Sequence, residues 1–143
     1  MLVSAILEVK GSEVATIDKT ATLGTAVADL VRHRVGALVV SPGDGSIDGI
    51  VSERDVVRCL SELHGDLLER AVSTVMSATV HLCSPDDTVD SIMNLMTVER
   101  IRHVPVVRDG LLCGIISIGD VVKSRMGELE KDRNELMEYI TAR

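Results

Sequence analysis

The sequence predicts an α/β fold built from two β-α-β-β-α units and one additional C-terminal helix. Three observations carry that expectation. The nonapeptide GIVSERDVV from Gly49 returns as GIISIGDVV from Gly114, identical at six of nine positions. An Asp-Gly pair, Asp44-Gly45 and Asp109-Gly110, stands between β-branched runs shortly before each nonapeptide. Apolar residues at helical spacing recur at matching places in the two halves. A duplicated unit places equivalent residues in equivalent surroundings, so Ser52 and Asp55 of the first copy foretell the setting of Ser117 and Asp120 in the second.

Upstream of the Asp-Gly pairs the copies align at an offset of 66, with residues 14–17 over 80–83, Leu23 over Val89, Val35 over Ile101 and Val40 over Val106. Downstream the offset is 65, so one residue is lost in a loop, where a change of length costs little. Each unit opens on a short β-branched segment, 14–17 or 80–83. A helix follows, with Leu23, Val27, Leu30 and Val31 in one copy and Val89, Ile92, Met93 and Met96 in the other, both near the i, i+3, i+4, i+7 spacing of one buried face. Thr22 is the candidate cap of the first of these helices and Asp86 or Asp87 of the second. Two strands come next, 37–40 with 47–51 and 104–107 with 111–116. Asp-Gly is a strong hairpin signal because glycine takes the positive φ that a tight turn needs. The last helix of each unit starts at Ser52 or Ser117. These elements divide the chain into units 1–65 and 66–126 and a tail, 127–143. In the tail Met126, Leu129, Leu136 and Ile140 recur at helical spacing among charged residues, and Gly127 is a candidate break. That helix either folds back over its own core or meets a second chain.

Composition narrows the function classes. The chain has 143 residues, with no Trp, no Phe and one Tyr, Tyr139, so its core must be built from Val, Ile, Leu, Ala and Met. Such a core suits strands covered on both faces. The opening MLVSAILEVKG is too short to span a membrane and lacks the basic start of a secretory signal. Cys59, Cys83 and Cys113 have no CxxC spacing and read as small core hydrophobes in a reducing cytoplasm. The four histidines form no HxH, HxxxH or HExxH pattern, which argues against a metal site. A net charge of −7 argues against non-specific nucleic-acid binding. Within that acidic chain Arg100, Arg102, His103 and Arg108 form a local basic patch, read either as the solvated start of a strand or as an anion site.

Ser-x-x-Asp before an apolar run is first of all a helix start: the hydroxyl accepts from a backbone N–H and the carboxylate favours the positive end of the helix dipole. Both copies also place a glycine-led strand directly before that start, and a strand ending at a helix N-terminus presents free N–H groups to a phosphate. The serine can donate to a phosphate oxygen, and the two oxygens of the aspartate can take both hydroxyls of a ribose. No GxxxxGK[ST] loop, GxSxG elbow or carboxylate pair suggests catalysis.

Two β-α-β-β-α units that each close on G-I-[VI]-S-x-x-D-V-V resemble a tandem pair of cystathionine-β-synthase (CBS) domains, the Bateman module, over residues 3 to about 126. VSTVMSATVHLCSPDDTV from Val72 resembles the family's passage into a second domain, and RIRHVPVVRDGLLCGIISIGDVV its closing half. The resemblance implies two units packed about a pseudo-twofold axis, with two clefts that take adenosine nucleotides such as AMP, ADP, ATP, NAD(H) or S-adenosylmethionine. It implies that Asp55 and Asp120 bind ribose, that Ser52 and Ser117 lie near ribose or phosphate, and that Thr16 is a polar contact whose counterpart, Leu82, is apolar. Arg102 and His103 fall at phosphate-contacting positions where the first copy has Gly36 and Ala37. Arg54 is a second phosphate candidate and Glu53 a repulsive element. Val80, Ile101, Val104 and Ile116 are the candidate adenine walls. The implied protein is a cytoplasmic, non-catalytic, homodimeric regulatory module acting on a separate partner, without cofactor, metal, nucleic acid or membrane insertion. The competing expectation is a structural or protein-interaction module with vestigial clefts.

Overall fold

Alternating and helical apolar patterns become two small sheets with helices against them in a computed structural model that describes residues 1–62 and 65–142. His64, one of the histidines considered above, lies outside the described residues. The elements run α1 (Val3–Lys10), β1 (Thr16–Ile17), α2 (Leu23–His33), β2 (Ala37–Val40), β3 (Gly49–Ser52), α3 (Glu53–Glu62), α4 (Val89–Glu99), β4 (His103–Arg108), β5 (Leu111–Ser117) and α5 (Ile118–Thr141), with 3-10 turns at Leu67–Glu69 and Val72–Thr74. In the first sheet β1 is parallel to β2 and β2 antiparallel to β3. In the second, β4 and β5 are antiparallel, and the opening segment contributes only a parallel bridge from Cys83 to Val106.

The repeat is visible in the details. Thr22 caps α2 by accepting from the Thr25 amide, and Thr88 caps α4 by accepting from Ser91. Thr88 therefore displaces Asp86 and Asp87 as the cap: the Asp87 carboxylate is turned back to the Ser84 amide at 2.8 Å. Both helices end on an arginine in the left-handed region, Arg34 and Arg100, each at φ 55°. Asp109 and Gly110, at φ 52° and 77°, make the expected tight hairpin. Asp44-Gly45 does not, because residues 41–48 form a longer connection in which the Asp44 carboxylate accepts from the Ser46 amide at 2.9 Å.

The segment that opens each copy completes the other copy. Val3 and Ile6 of α1 are buried in the second core with Val89, Ile92, Met96, Val104, Val106 and Ile116. Val72 and Val75, which precede the second copy, are buried in the first core with Leu23, Leu30, Leu38, Val40 and Val51. Backbone pairing repeats the exchange: Val3 N–H donates to Asp87 O and Val89 N–H to Met1 O, while Leu23 N–H donates to Arg70 O and Val72 N–H to Ala21 O. Glycine allows α1 its close approach, since a Cβ on Gly114 would stand 2.7 Å from Leu7 Cδ2.

The break expected at Gly127 does not occur. One 24-residue helix, α5, runs from the second serine motif to Thr141, because a single exposed glycine weakens a helix by only about 1 kcal/mol. It does not fold back over the core: Val121 is its one buried described residue, and residues 129–142 are all exposed. Arg125 ties its middle to Asp90 at 3.3 Å and to Glu128 at 3.0 Å.

Candidate functional site

Each serine motif is held by its own carboxylate. Asp55 accepts from the Ser52 amide at 2.8 Å and the Ser52 hydroxyl at 3.1 Å through Oδ2, and its Oδ1 lies 3.1 Å from Arg58 one turn along α3. Asp120 repeats this with Ser117 at 2.8 and 2.9 Å, and the Ser117 hydroxyl accepts from the Asp120 amide to close a capping box. The carboxylate half of the helix start read from the sequence is present in both copies, and the hydroxyl that accepts from the helix backbone is present at Ser117, with lone pairs left on each carboxylate.

A cleft of about 240 Å³ opens beside the first motif. Its floor is Ser52, Glu53, Arg54 and Asp55, where β3 passes into α3, and its opposite walls come from the second copy: Ser77, Thr79, Val80 and His81 on one side, Arg100, Ile101, Arg102 and His103 on the other. Antiparallel pairing explains the floor, because residue 36 or 102 lies beside the start of the last helix in its unit: Glu53 N–H donates to Gly36 O and Ile118 N–H to Arg102 O. The lack of a side chain at Gly36 lets the two units meet there; a Cβ would stand 3.0 Å from His103 Cε1.

Charge is concentrated in this cleft. Arg54, Arg58, Arg100 and Arg102 line it with two histidines, against Glu53 and Asp55, in a chain of net charge −7. Arg54 is held in place by a 3.1 Å hydrogen bond from its Nη1 to the carbonyl of Arg100, the residue whose left-handed conformation ends α4. Burial holds the His103 imidazole below the ordinary histidine value; Glu53 and Asp120 oppose this, and Lys10 and Arg102 reinforce it. The imidazole, held toward its neutral form, thus stands among guanidinium groups.

Of the residues singled out in the sequence, Ser52, Arg54, Asp55, Val80, Ile101, Arg102 and His103 meet in this one cleft. Ser117 and Asp120 lie at the other motif. Thr16 is exposed on β1, paired with Val39, away from the cleft lining. Val104 and Ile116 are not walls: both are 0% exposed in the second core, because strand alternation sends them to the face opposite His103 and Ser117. Arg58, Thr79 and His81 line the cleft unannounced by the sequence reading. Arg58 was findable three residues after Asp55 on a helix, whereas Thr79 and His81 arrive only through the exchange of opening segments.

Asp120 has a neighbour with no counterpart at Asp55. Lys10, the last residue of α1, places Nζ 2.6 Å from Asp120 Oδ2 and 2.8 Å from Ile115 O. Burial opposes ionisation of Asp120, but the hydrogen bonds from Lys10 and Ser117 together hold its carboxyl below the ordinary value.

The chain matches the CBS domain model twice, at residues 6–62 and 72–127. It is 42% identical to a CBS-domain containing protein from Agrobacterium tumefaciens, whose crystal structure superposes with a TM-score of 0.84 over 87% of this chain and 99% of that one. It is 37% identical over 123 residues to the mitochondrial CBS domain-containing protein CBSX3 of Arabidopsis thaliana, covering 83% of this chain and 60% of that protein's length. A CBS domain protein from Pyrobaculum aerophilum, solved in complex with AMP, is 27% identical with a TM-score of 0.74, over 84% of this chain and 89% of that one. No helix among the described residues is long and apolar enough to cross a membrane.

Proposed function

The chain belongs to the CBS-domain family, and from that premise we propose that it is a non-catalytic regulatory module that binds an adenosine nucleotide in the cleft beside Asp55. The observation that carries this reading is the convergence of a ribose-competent carboxylate with four arginines drawn from both copies. Asp55 Oδ1 has one partner, Arg58, and a carboxylate oxygen takes two, so a ribose hydroxyl can join without displacing the cap. Val80 and Ile101 supply apolar walls for a base, and Arg54, Arg100 and Arg102 supply charge for phosphates. That charge favours AMP, ADP, ATP or NAD(H) over the cationic sulfonium of S-adenosylmethionine.

Calorimetric titration with AMP, ADP, ATP, NADH and S-adenosylmethionine tests the reading. Binding of the anionic nucleotides, weakened at least tenfold by R102A and by D55N, is the expected result. Absence of heat with every ligand at millimolar concentration overturns it.

A second reading, a scaffold with idle clefts, draws on the same geometry: both aspartates already have partners within the chain. Thermal shift separates the two, since a ligand at 100 times its Kd adds about 2.7 kcal/mol to the folded state and an idle scaffold gains nothing.

The regulatory proposal includes self-association and an output to a separate protein. Ile118, Val122, Met126 and Leu129 form an exposed apolar stripe along α5, a suitable face for a homodimer. Light scattering on the full chain and on a chain ending at Gly127 should give a dimer and a weakened or monomeric species. An unchanged dimer removes the tail from the interface.

A further inference from the structure

Helix α5 carries a second pattern besides the face it buries. Val121 belongs to the second core, whereas Val122, Met126, Leu129, Arg133, Leu136 and Ile140 follow one another at spacings of four, three, four, three and four. That is the seam of a two-stranded coiled coil, with the aliphatic stem of Arg133 standing in at one place. Its apolar members are 48–60% exposed. A groove of about 600 Å³ runs along the near half, lined among others by Ile118, Gly119, Val122 and Met126.

Charge decides what covers this stripe. Lys123 and Glu130 flank it on one side, Arg125 and Asp132 on the other, at the e and g positions of the heptad. Lys123, Glu130 and Asp132 have no ion-pair partner among the described residues. Arg125 reaches Asp90 and Glu128 through Nη1 alone and keeps further donors.

Consider two copies of α5 laid antiparallel, with the twofold axis between Gly127 and Glu128. Met126 then faces the partner's Leu129, and Gly119, where an added Cβ would meet nothing nearer than Ser117 Oγ at 3.6 Å, leaves a notch for the partner's Leu136. Beside the seam Lys123 meets the partner's Glu130 and Arg125 meets the partner's Asp132, and symmetry makes each pair twice. A slip of one heptad destroys the match. In one direction it sets Glu130 and Asp132 against their own copies, and in the other Lys123 and Arg125. A parallel pair sets Arg133 against its own copy inside the seam, where like charges repel.

We propose that α5 binds α5 of a second copy of this chain, antiparallel and in this register, over residues 119–136, about five turns. The proposal rests on the reading of α5 as the face of self-association and supplies its orientation and its specificity. Residues 137–141 of each chain then lie alongside the partner's Ile118. There a hollow of about 350 Å³, bordered by Ile118, Met96, Thr97 and Arg54, continues the groove.

The experiment is sedimentation equilibrium on the full chain, K123E, E130K and the K123E/E130K double variant. All the altered side chains lie on the outer face of α5, and an unchanged urea midpoint checks that each variant folds. Each single variant places two like-charge pairs in the dimer and should weaken it by about tenfold or more, and the double variant should regain the wild-type affinity. An equimolar mixture of K123E and E130K should form a mixed dimer tighter than either variant alone. Unchanged affinity in both single variants, with a monomer on truncation at Gly127, overturns the register and leaves α5 as the interface. A dimer indifferent to the charges and to the truncation overturns both, and so does a wild type that stays monomeric at every concentration reached.

Discussion

Replacing Val72 by alanine tests whether the opening segments are exchanged between units. Val72 is 0% exposed and belongs to the stretch before the second copy, yet its neighbours are Leu23, Leu38 and Val51 of the first. The substitution removes two methyl groups, about 1.6 kcal/mol at ~0.8 kcal/mol per buried carbon, and the unfilled space raises the cost to about 2–3 kcal/mol. In urea that is a midpoint lowered by about 1–2 M at the slope of a chain this size. Val3→Ala, equally buried in the second core, should cost a similar amount. Hydrogen exchange tells the two apart. V72A should first lose protection in β2 and β3, and V3A in β4 and β5. Loss confined to residues 80–121 in V72A, or a cost below about 0.5 kcal/mol in either protein, would refute the exchange.

The remaining predictions concern titratable groups. Entry of a phosphate favours the protonated imidazole of His103, whose value burial now holds low; AMP affinity should therefore rise as pH falls from 8 to 6, and H103N should flatten the profile measured by titration calorimetry. The carboxyl of Asp120 is held low in the folded chain, so its stabilisation is complete above the unfolded value of about 3.9 and is lost as pH falls through the folded one. K10M should then show a shallower loss of urea midpoint across that acid window. Burial, aided by Asp87 and Cys113, pushes the Cys83 thiol up to about 12. A thiol reagent at pH 8 should label the half-buried Cys113 first and reach Cys59 and Cys83 only on unfolding; prompt labelling of Cys83 in the native state contradicts its burial.

The repeat made most of the fold legible, and its limits coincide with features that do not repeat. Strands β2 to β5 and helices α2 to α4 appear where β-branched runs and helical spacing put them. Helix α1 was not foreseen: Leu2 precedes it without a side-chain cap, and only eight residues carry its pattern. The same blind spot hid Lys10, whose reach to Asp120 spans 110 residues of sequence. The cap at Thr88 was available from the alignment itself, since Thr22 lies 66 residues earlier. Local acidic character at Asp86 and Asp87 outweighed that signal. In the cleft, Ser52 and Asp55 were readable from spacing, but the meeting of Arg102 with the first copy depends on the packing of two sheets, and pattern along one strand carries no record of it. Val104 and Ile116 were misread because apolar character alone does not say which side of a strand faces a core.

Helix α5 begins at Ser117 and Asp120 and continues for 24 residues, about 36 Å at 1.5 Å per residue. Its foot is the carboxylate grasped by Lys10, Arg125 ties its middle to Asp90, and residues 129–142 are exposed, so a straight helix would carry any tilt of its foot outward as a lever does about a pivot. A tilt of about 10° at that pivot swings the tip by about 6 Å, given the rise per residue of a straight helix. A change too small to alter the sheets would thus be plainly felt by anything that grips the far end.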